Sequence, residues 1–463
     1  MLELLERQKT LTGNQRRIVF AAILGDGLEF FDYFVIGFVL AFIVGPWKLT
    51  FGQFAVIFLS SGVGAMIGAY VWGWAADRIG RRKVFIATVL NFAIASGILA
   101  LTPEGSWIFL SIFRFFVGVG VGGLYCVDLP LVQEFMPSAK RGRIGGIVTA
   151  AIPLGTGLGA VLGAFLAPAV GWRGLFLVGL LPALLTLLIR AWVPESPRWL
   201  IRMGRVDEAR KSLAWALEMD PKDIELTTVR SEPQKVAWTE LFKYPRSLAV
   251  SWLGNLGTQT GIYGLTLWLP TLFVQILGIS PPQASRLMIS VTLGGFVGRV
   301  SFSYLSDWIG RRASGGLLGL GAAVMLPLAA YTHDVFLGSA SLFWLLTIVT
   351  YFFADGGFAI VGPYAAEVWP AGLRTSGMGS AYGFGGLGKI IGPLGLALIA
   401  GSSNIVTPQA SVAMIVPAFS YLAGWYLLAG IVYYFFGIET KGRSIEEIDG
   451  ELSLPLKRRP ATT

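Results

Sequence analysis

Three acids stand within one apolar run, Asp26, Glu29 and Asp32 in GDGLEFFDYF (25–34). At steps of three residues they share one broad face of a helix. A charge placed in hydrocarbon is costly, so an ionisable residue inside a membrane span is by default a functional one. Carboxyls in such a place take and release protons, and Asp26 and Asp32 are the favoured proton-coupling candidates. The bland alternative places one or two of them at a wet outer mouth. Arg114 stands early in another apolar run and Asp128 deeper in the same one. As a charge inside a span Arg114 is either functional or snorkels to the interface.

Lys389 is more informative, because it sits among Gly385, Gly386, Gly388 and Gly392 well inside an apolar stretch. A lysine there must pair or contact an anion. It either docks a substrate carboxylate or forms a fixed ion pair with Asp355 or an acid of the first span. Asn255, Gln259 and Tyr263 recur every four residues and form one polar stripe of a helix. Their amide and phenol groups suit hydroxyl, carboxylate or ring-nitrogen partners. Tyr125, Tyr382 and Asp355 complete the candidate substrate contacts.

Other chemistries are excluded by what the chain lacks. It has one cysteine, Cys126, and one histidine, His333, in a loop, so no intramolecular disulfide, zinc-hydrolase site or buried Ser-His pair is available. No G-x-x-x-x-G-K-[ST] run marks an ATP site. No metal or cofactor is expected, and no enzymatic activity.

The elements that position these residues are membrane spans. Of 463 residues 54% are hydrophobic and 14% charged, where an ordinary soluble domain has about 25% charged. Apolar stretches long enough to cross a bilayer are read at 18–44, 53–75, 84–101, 107–132, 144–169 and 174–193. Six more are read at 248–275, 287–306, 313–331, 341–366, 376–400 and 413–436. The net charge of +9 is concentrated in alternate loops. These carry Arg78, Arg81, Arg82 and Lys83, then Lys140, Arg141 and Arg143, then Arg198 to Arg246, then Arg311 and Arg312. That is the positive-inside pattern rather than a nucleic-acid footprint, and it makes both termini cytoplasmic. The expected organisation is a six-helix bundle over 1–193, a cytoplasmic linker over 194–246, a second bundle over 247–437 and a tail over 438–463. Residues 201–217 are expected as an amphipathic helix. It lies on the membrane surface or caps the cytoplasmic ends of other helices.

The halves repeat. GWAADRIGRRK (73–83) returns as SYLSDWIGRRA (303–313), matching Asp77, Arg81 and Arg82 to Asp307, Arg311 and Arg312. PLVQEFMPSAKR (130–141) returns as PYAAEVWPAGLR (363–374), matching Glu134 and Arg141 to Glu367 and Arg374. Such parallel repeats imply two halves around a central cavity and an alternating-access cycle.

The D-R-x-G-R-R-K loop resembles the signature of the major facilitator superfamily. PESPRWL (194–200) and ETKGRSIEEID (439–449) resemble its sugar-porter and organic-ion-porter branch. GDGLEFFDYF resembles the metabolite–proton symporters and the aromatic-acid and nicotinate porters. The resemblance implies an all-α membrane protein with twelve transmembrane helices in two pseudo-symmetric six-helix bundles. It implies that Arg114 serves proton movement or substrate binding, that Asp77 caps a neighbouring helix and pairs with an arginine, and that the basic loops form a cytoplasmic gate, joined by Glu195, Arg198 and Glu439. The bland alternative is that these loops only fix topology. The expected function is proton-coupled uptake of a small organic acid through a bacterial inner membrane, by a protein acting as a monomer. A sugar or polyol, an organic cation, or a non-transporting sensor are the alternatives.

Overall fold

The computed structural model describes residues 5, 8, 10–137, 140, 144, 147–148, 151–184, 192–224, 238–370, 373–443, 447–448, 450 and 452, and for 124–126, 129 and 375 the backbone only. Among these residues nine helices are long and apolar enough to cross a membrane, and three further apolar helices are shorter. Large apolar side chains lie outward, among them Ile67, Leu184 and Leu398 at 46, 61 and 63% exposure. A protein in water would bury most of these, whereas hydrocarbon solvates them.

The chain forms two compact units, Met1–Glu232 with Ser280–Ile289, and Pro233–Ile279 with Ser290–Thr463. In the first, α1 (Gly13–Trp47) opens with a capping box. Thr12 accepts from the Gln15 N–H, and the Gln15 side chain accepts from the Thr12 N–H. α2 (Phe51–Ile79) repeats the device with Thr50 and Gln53. Two Gly-x-x-x-Gly steps then bring α2 against α4 (Trp107–Glu134). A Cβ on Gly64, Gly68, Gly118 or Gly122 would stand 1.9 to 2.1 Å from a carbonyl oxygen of the opposite helix. Only glycine allows that approach. α3 (Arg81–Leu99) packs on the other side of α4.

The fifth and sixth spans differ from the expected continuous helices. α5 (Ile152–Phe165) is followed by α6 (Ala167–Val178), which is kinked at Gly171 (φ 73°). Residues before the kink finish the fifth span and those after it begin the sixth. The expected helix at 201–217 is also two helices, α7 (Pro197–Arg202) and α8 (Val206–Leu217). Gly204 at φ 73° breaks it. α8 packs against the start of α1. Its Leu213, Ala214 and Leu217 cluster with Leu5 and Ile224. Thr12 Oγ1 donates to Ala216 O, and Asn14 Nδ2 to Trp215 O. The central segment thus holds the start of α1.

In the second unit, a π turn at Ala249–Leu253 leads into α9 (Gly254–Leu277). Then come α10 (Pro281–Ile309), α11 (Arg311–Tyr331) and a two-residue hairpin pairing Phe336–Leu337 with Ala340–Ser341. The tenth span is split into α12 (Leu342–Gly356) and α13 (Phe358–Glu367). The eleventh is split into α14 (Arg374–Gly385) and α15 (Gly388–Ala400), and α16 (Pro408–Ile431) follows. Glycines mark both breaks.

Candidate functional site

All three acids of α1 are buried, at 4, 1 and 0% exposure for Asp26, Glu29 and Asp32. They do not act as one group. The Asp26 carboxyl lies beside that of Asp128 on α4, whose two buried oxygens have no hydrogen-bond partner among the described residues. Asp128 therefore meets an acid of α1. Asp32 lies two turns further along. Its Oδ1 accepts from Ser96 Oγ of α3 at 2.5 Å, while its buried Oδ2 has no hydrogen-bond partner among the described residues.

Arg114 is also fully inside, at 1% exposure. Its Nε donates to Ser61 Oγ at 2.9 Å, and its two terminal nitrogens donate to the Asp32 and Tyr33 carbonyls at 2.8 and 2.7 Å. A buried guanidinium needs its donors satisfied. Here the backbone of α1 does this at the very residue whose carboxyl is free on one side. Arg114 does not snorkel, and it ties α4, α2 and α1 together at Asp32.

In the second unit the amide stripe is buried on α9. Gln259 Nε2 donates to Asn255 Oδ1 at 3.3 Å, and Asn255 Nδ2 to Ser251 O at 3.0 Å. Gly385 lets α14 reach this stripe, since a Cβ there would be 2.5 Å from Gln259 Nε2. Lys389 Nζ lies 5.1 Å from the centroid of the Tyr263 ring, within cation–π range. Lys389 and Tyr382 are half-buried, and Tyr263 is buried. A cation, a π face and two amides thus lie along one wall.

Asp355 has a different partner from the one considered for it. Arg299 of α10 grips it in a bidentate pair, Nε to Oδ2 and Nη2 to Oδ1, both at 2.9 Å. The guanidinium lies 5.1 Å over the Phe358 ring. Asp355 is therefore not the fixed counter-ion of Lys389. Arg299 was missed, although an arginine well inside the apolar stretch 287–306 is signal enough.

At the basic loops the two units repeat one construction. Gly80 and Gly310, at φ 109° and 94°, offer no side chain to cap α3 and α11. A distant carboxylate does so instead. Glu195 Oε1 accepts from the Arg82 N–H at 3.1 Å, and Glu439 Oε1 from the Arg311 N–H at 2.9 Å. Anions suit helix N-termini. Beside these caps Arg81 pairs with Glu134 at 2.9 Å and Arg311 with Glu367 at 3.4 Å. Ser196 Oγ also donates to Glu134, and Thr440 Oγ1 to Glu367. Asp77 pairs with Arg202 of α7, and Asp307 with Arg311. Arg312 donates to Tyr434 O and Arg374 to Trp369 O. Arg141 and the side chain of Tyr125 lie outside the described residues.

Gly80→Ala places a Cβ 2.3 Å from Glu195 Oε2 on a backbone that L-residues rarely adopt. We expect it to lower stability by about 1–3 kcal/mol, read as the melting temperature of the purified protein. Glu195→Gln, which keeps the shape of the cap, should cost less.

At the opposite end of the first unit, the Trp47 indole and then Arg173 hold the Glu104 carboxyl below the usual carboxylate range.

Ionisable groups buried within spanning helices, with a charged helix-end construction repeated in two halves, define a polytopic membrane transporter. The family model for sugar (and other) transporters matches residues 18–452. The niacin transporter NiaP of Acinetobacter baylyi is 32% identical over 80% of this chain and 84% of its own length. The cis,cis-muconate transport protein of the same bacterium is 27% identical over 83% and 87%. The inward-open xylose transporter XylE of E. coli shares the fold, with a TM-score of 0.70 at 21% identity over 94% of this chain and 99% of that one. The chain belongs to the sugar (and other) transporter family, within the major facilitator superfamily. It is an integral membrane transporter of small molecules and not an enzyme.

Proposed function

We propose that the protein takes up a small organic acid, an aromatic acid being the first candidate, together with protons, by alternating access. The observation that carries this is Lys389, an ammonium midway along the eleventh span beside the Tyr263 ring. A carboxylate answers the ammonium, and a planar ring answers the π face. The names of the two bacterial relatives, a niacin and a muconate transporter, support an acid. Asn255, Gln259 and Tyr382 orient the substrate. Asp32 carries the coupling proton, with Asp26 and Glu29 as the other acids of its helix and Arg114 holding that helix in place. The helix-end networks of Arg81 with Glu134 and Arg311 with Glu367 are the gate that opens inward. The placement that goes with this reading is a bacterial inner membrane, with both termini and the 194–246 segment cytoplasmic and one chain as the working unit.

Lys389→Ala is the test. Binding of nicotinate or cis,cis-muconate to the purified variant should weaken about tenfold to a hundredfold, the loss of a charged hydrogen bond of about 1.5–3 kcal/mol. An unchanged affinity removes Lys389 from the site. Binding of a sugar that ignores Lys389 would favour the sugar reading.

A further inference from the structure

The sixth span has an unfinished helix end beside Asp32. α6 stops at Val178, and the Leu180 N–H, which a continuing helix would give to Phe176 O, donates instead to Leu177 O at 3.0 Å. The Phe176 carbonyl is left without its helical donor. Ser96 Oγ stands 3.5 Å from that oxygen and 2.5 Å from Asp32 Oδ1. A hydroxyl has one proton to give, and at these distances it goes to Asp32. Gly179 makes the meeting of three helices fit. A Cβ there would lie 2.6 Å from Asp32 Oδ1 and 2.2 Å from Ser96 Oγ.

The charged and titratable groups around Asp32 are few. Arg114 faces it from α4, Glu29 and Tyr33 flank it on α1, and α2 supplies only the Ser61 hydroxyl bound to Arg114. Residues 84–99 of α3, 152–165 of α5 and 174–184 of the sixth span contain no titratable side chain. From these described segments, Ser96 is the side chain that donates to Asp32.

We infer that Ser96 is a positioning residue that reports the protonation of Asp32 to the sixth span. Charged Asp32 accepts the Ser96 proton. When Asp32 takes up a proton, its own O–H donates to Ser96 Oγ, and the Ser96 O–H turns to Phe176 O. The carboxyl gains one proton and with it an O–H bond, the Ser96 O–H changes its acceptor, and one new hydrogen bond forms from Asp32 to Ser96; no bond between heavy atoms changes. The broken turn of the sixth span thus gains a donor when Asp32 is neutral and loses it when Asp32 is charged. This rests on Asp32 as the proton site.

The test needs no substrate. Infrared difference spectra of the full chain in liposomes are recorded through a pH titration. The protonated-carboxyl band missing in Asp32→Asn is that of Asp32. In Ser96→Ala the charged carboxylate has lost a donor, so the midpoint of that band should move to higher pH by about one unit. Ser96→Thr, which keeps the hydroxyl, should restore it. An Asp32 band whose midpoint is the same in Ser96→Ala, or one that Ser96→Thr leaves shifted, overturns the relay while leaving Asp32 as the proton site. If Asp32→Asn removes no titrating band, Asp32 is not the proton site and the relay falls with it.

Discussion

Asp32→Asn is expected to abolish proton-driven accumulation and to spare exchange of labelled for unlabelled substrate. Asparagine has the shape of the protonated acid and cannot ionise. The site is fully buried, one carboxyl oxygen has no hydrogen bond among the described residues, and Arg114 already holds the neighbouring backbone. The variant therefore keeps the fold and a neutral residue at the point where the charge would change. A gradient of one pH unit is worth about 1.4 kcal/mol per proton, or tenfold accumulation. That factor should fall to one in the variant. Counterflow, which needs only movement of the loaded carrier, should continue. Tenfold accumulation by Asp32→Asn would move the coupling proton elsewhere, with the Asp26–Asp128 pair next in line.

The second large effect is expected at Arg299 and Asp355. Each side chain is only 10% exposed, and the pair is bidentate. Arg299→Met leaves the buried Asp355 carboxylate without its bidentate partner, and Asp355→Leu leaves Arg299 without its carboxylate, each at a cost of about 3–5 kcal/mol. The double variant removes both charges and should recover most of that loss. A double-mutant cycle on unfolding of the solubilised protein measures the coupling. Additive single effects would show that the two charges do not depend on each other. Asp355 also ends α12, where the tenth span breaks before Phe358. The pair therefore anchors one side of a helix break to α10.

Much of this architecture is legible in the chain. Hydropathy and alternating charge place the spans, because hydrocarbon admits few charges and basic loops stay on one side. The repeat of Asp77, Arg81, Arg82 and Glu134 as Asp307, Arg311, Arg312 and Glu367 pointed to a shared helix-end construction. Glu195 and Glu439 were tied to it only by their place after the sixth and twelfth spans. That they cap α3 and α11 through glycines without side chains is a fact of packing. The pairing of Asp26 with Asp128 was not legible, since the register between two spans far apart in sequence leaves no periodic trace. Ser96 left no sign at all, because a serine in an apolar helix is ordinary. The division of 201–217 depends on one positive φ at Gly204, and a glycine there is equally compatible with a continuous helix.

Proton-coupled transport of an acid underlies the roles proposed for Asp32 and Lys389. Its most direct measurement is uptake into proteoliposomes under an imposed inward proton gradient, with labelled nicotinate, cis,cis-muconate, a sugar and an amine offered in turn. One of the acids should accumulate above its external concentration, and a protonophore should collapse the accumulation. Accumulation of the sugar or the amine with neither acid transported, or accumulation of an acid that the protonophore leaves intact, would contradict proton-coupled acid transport.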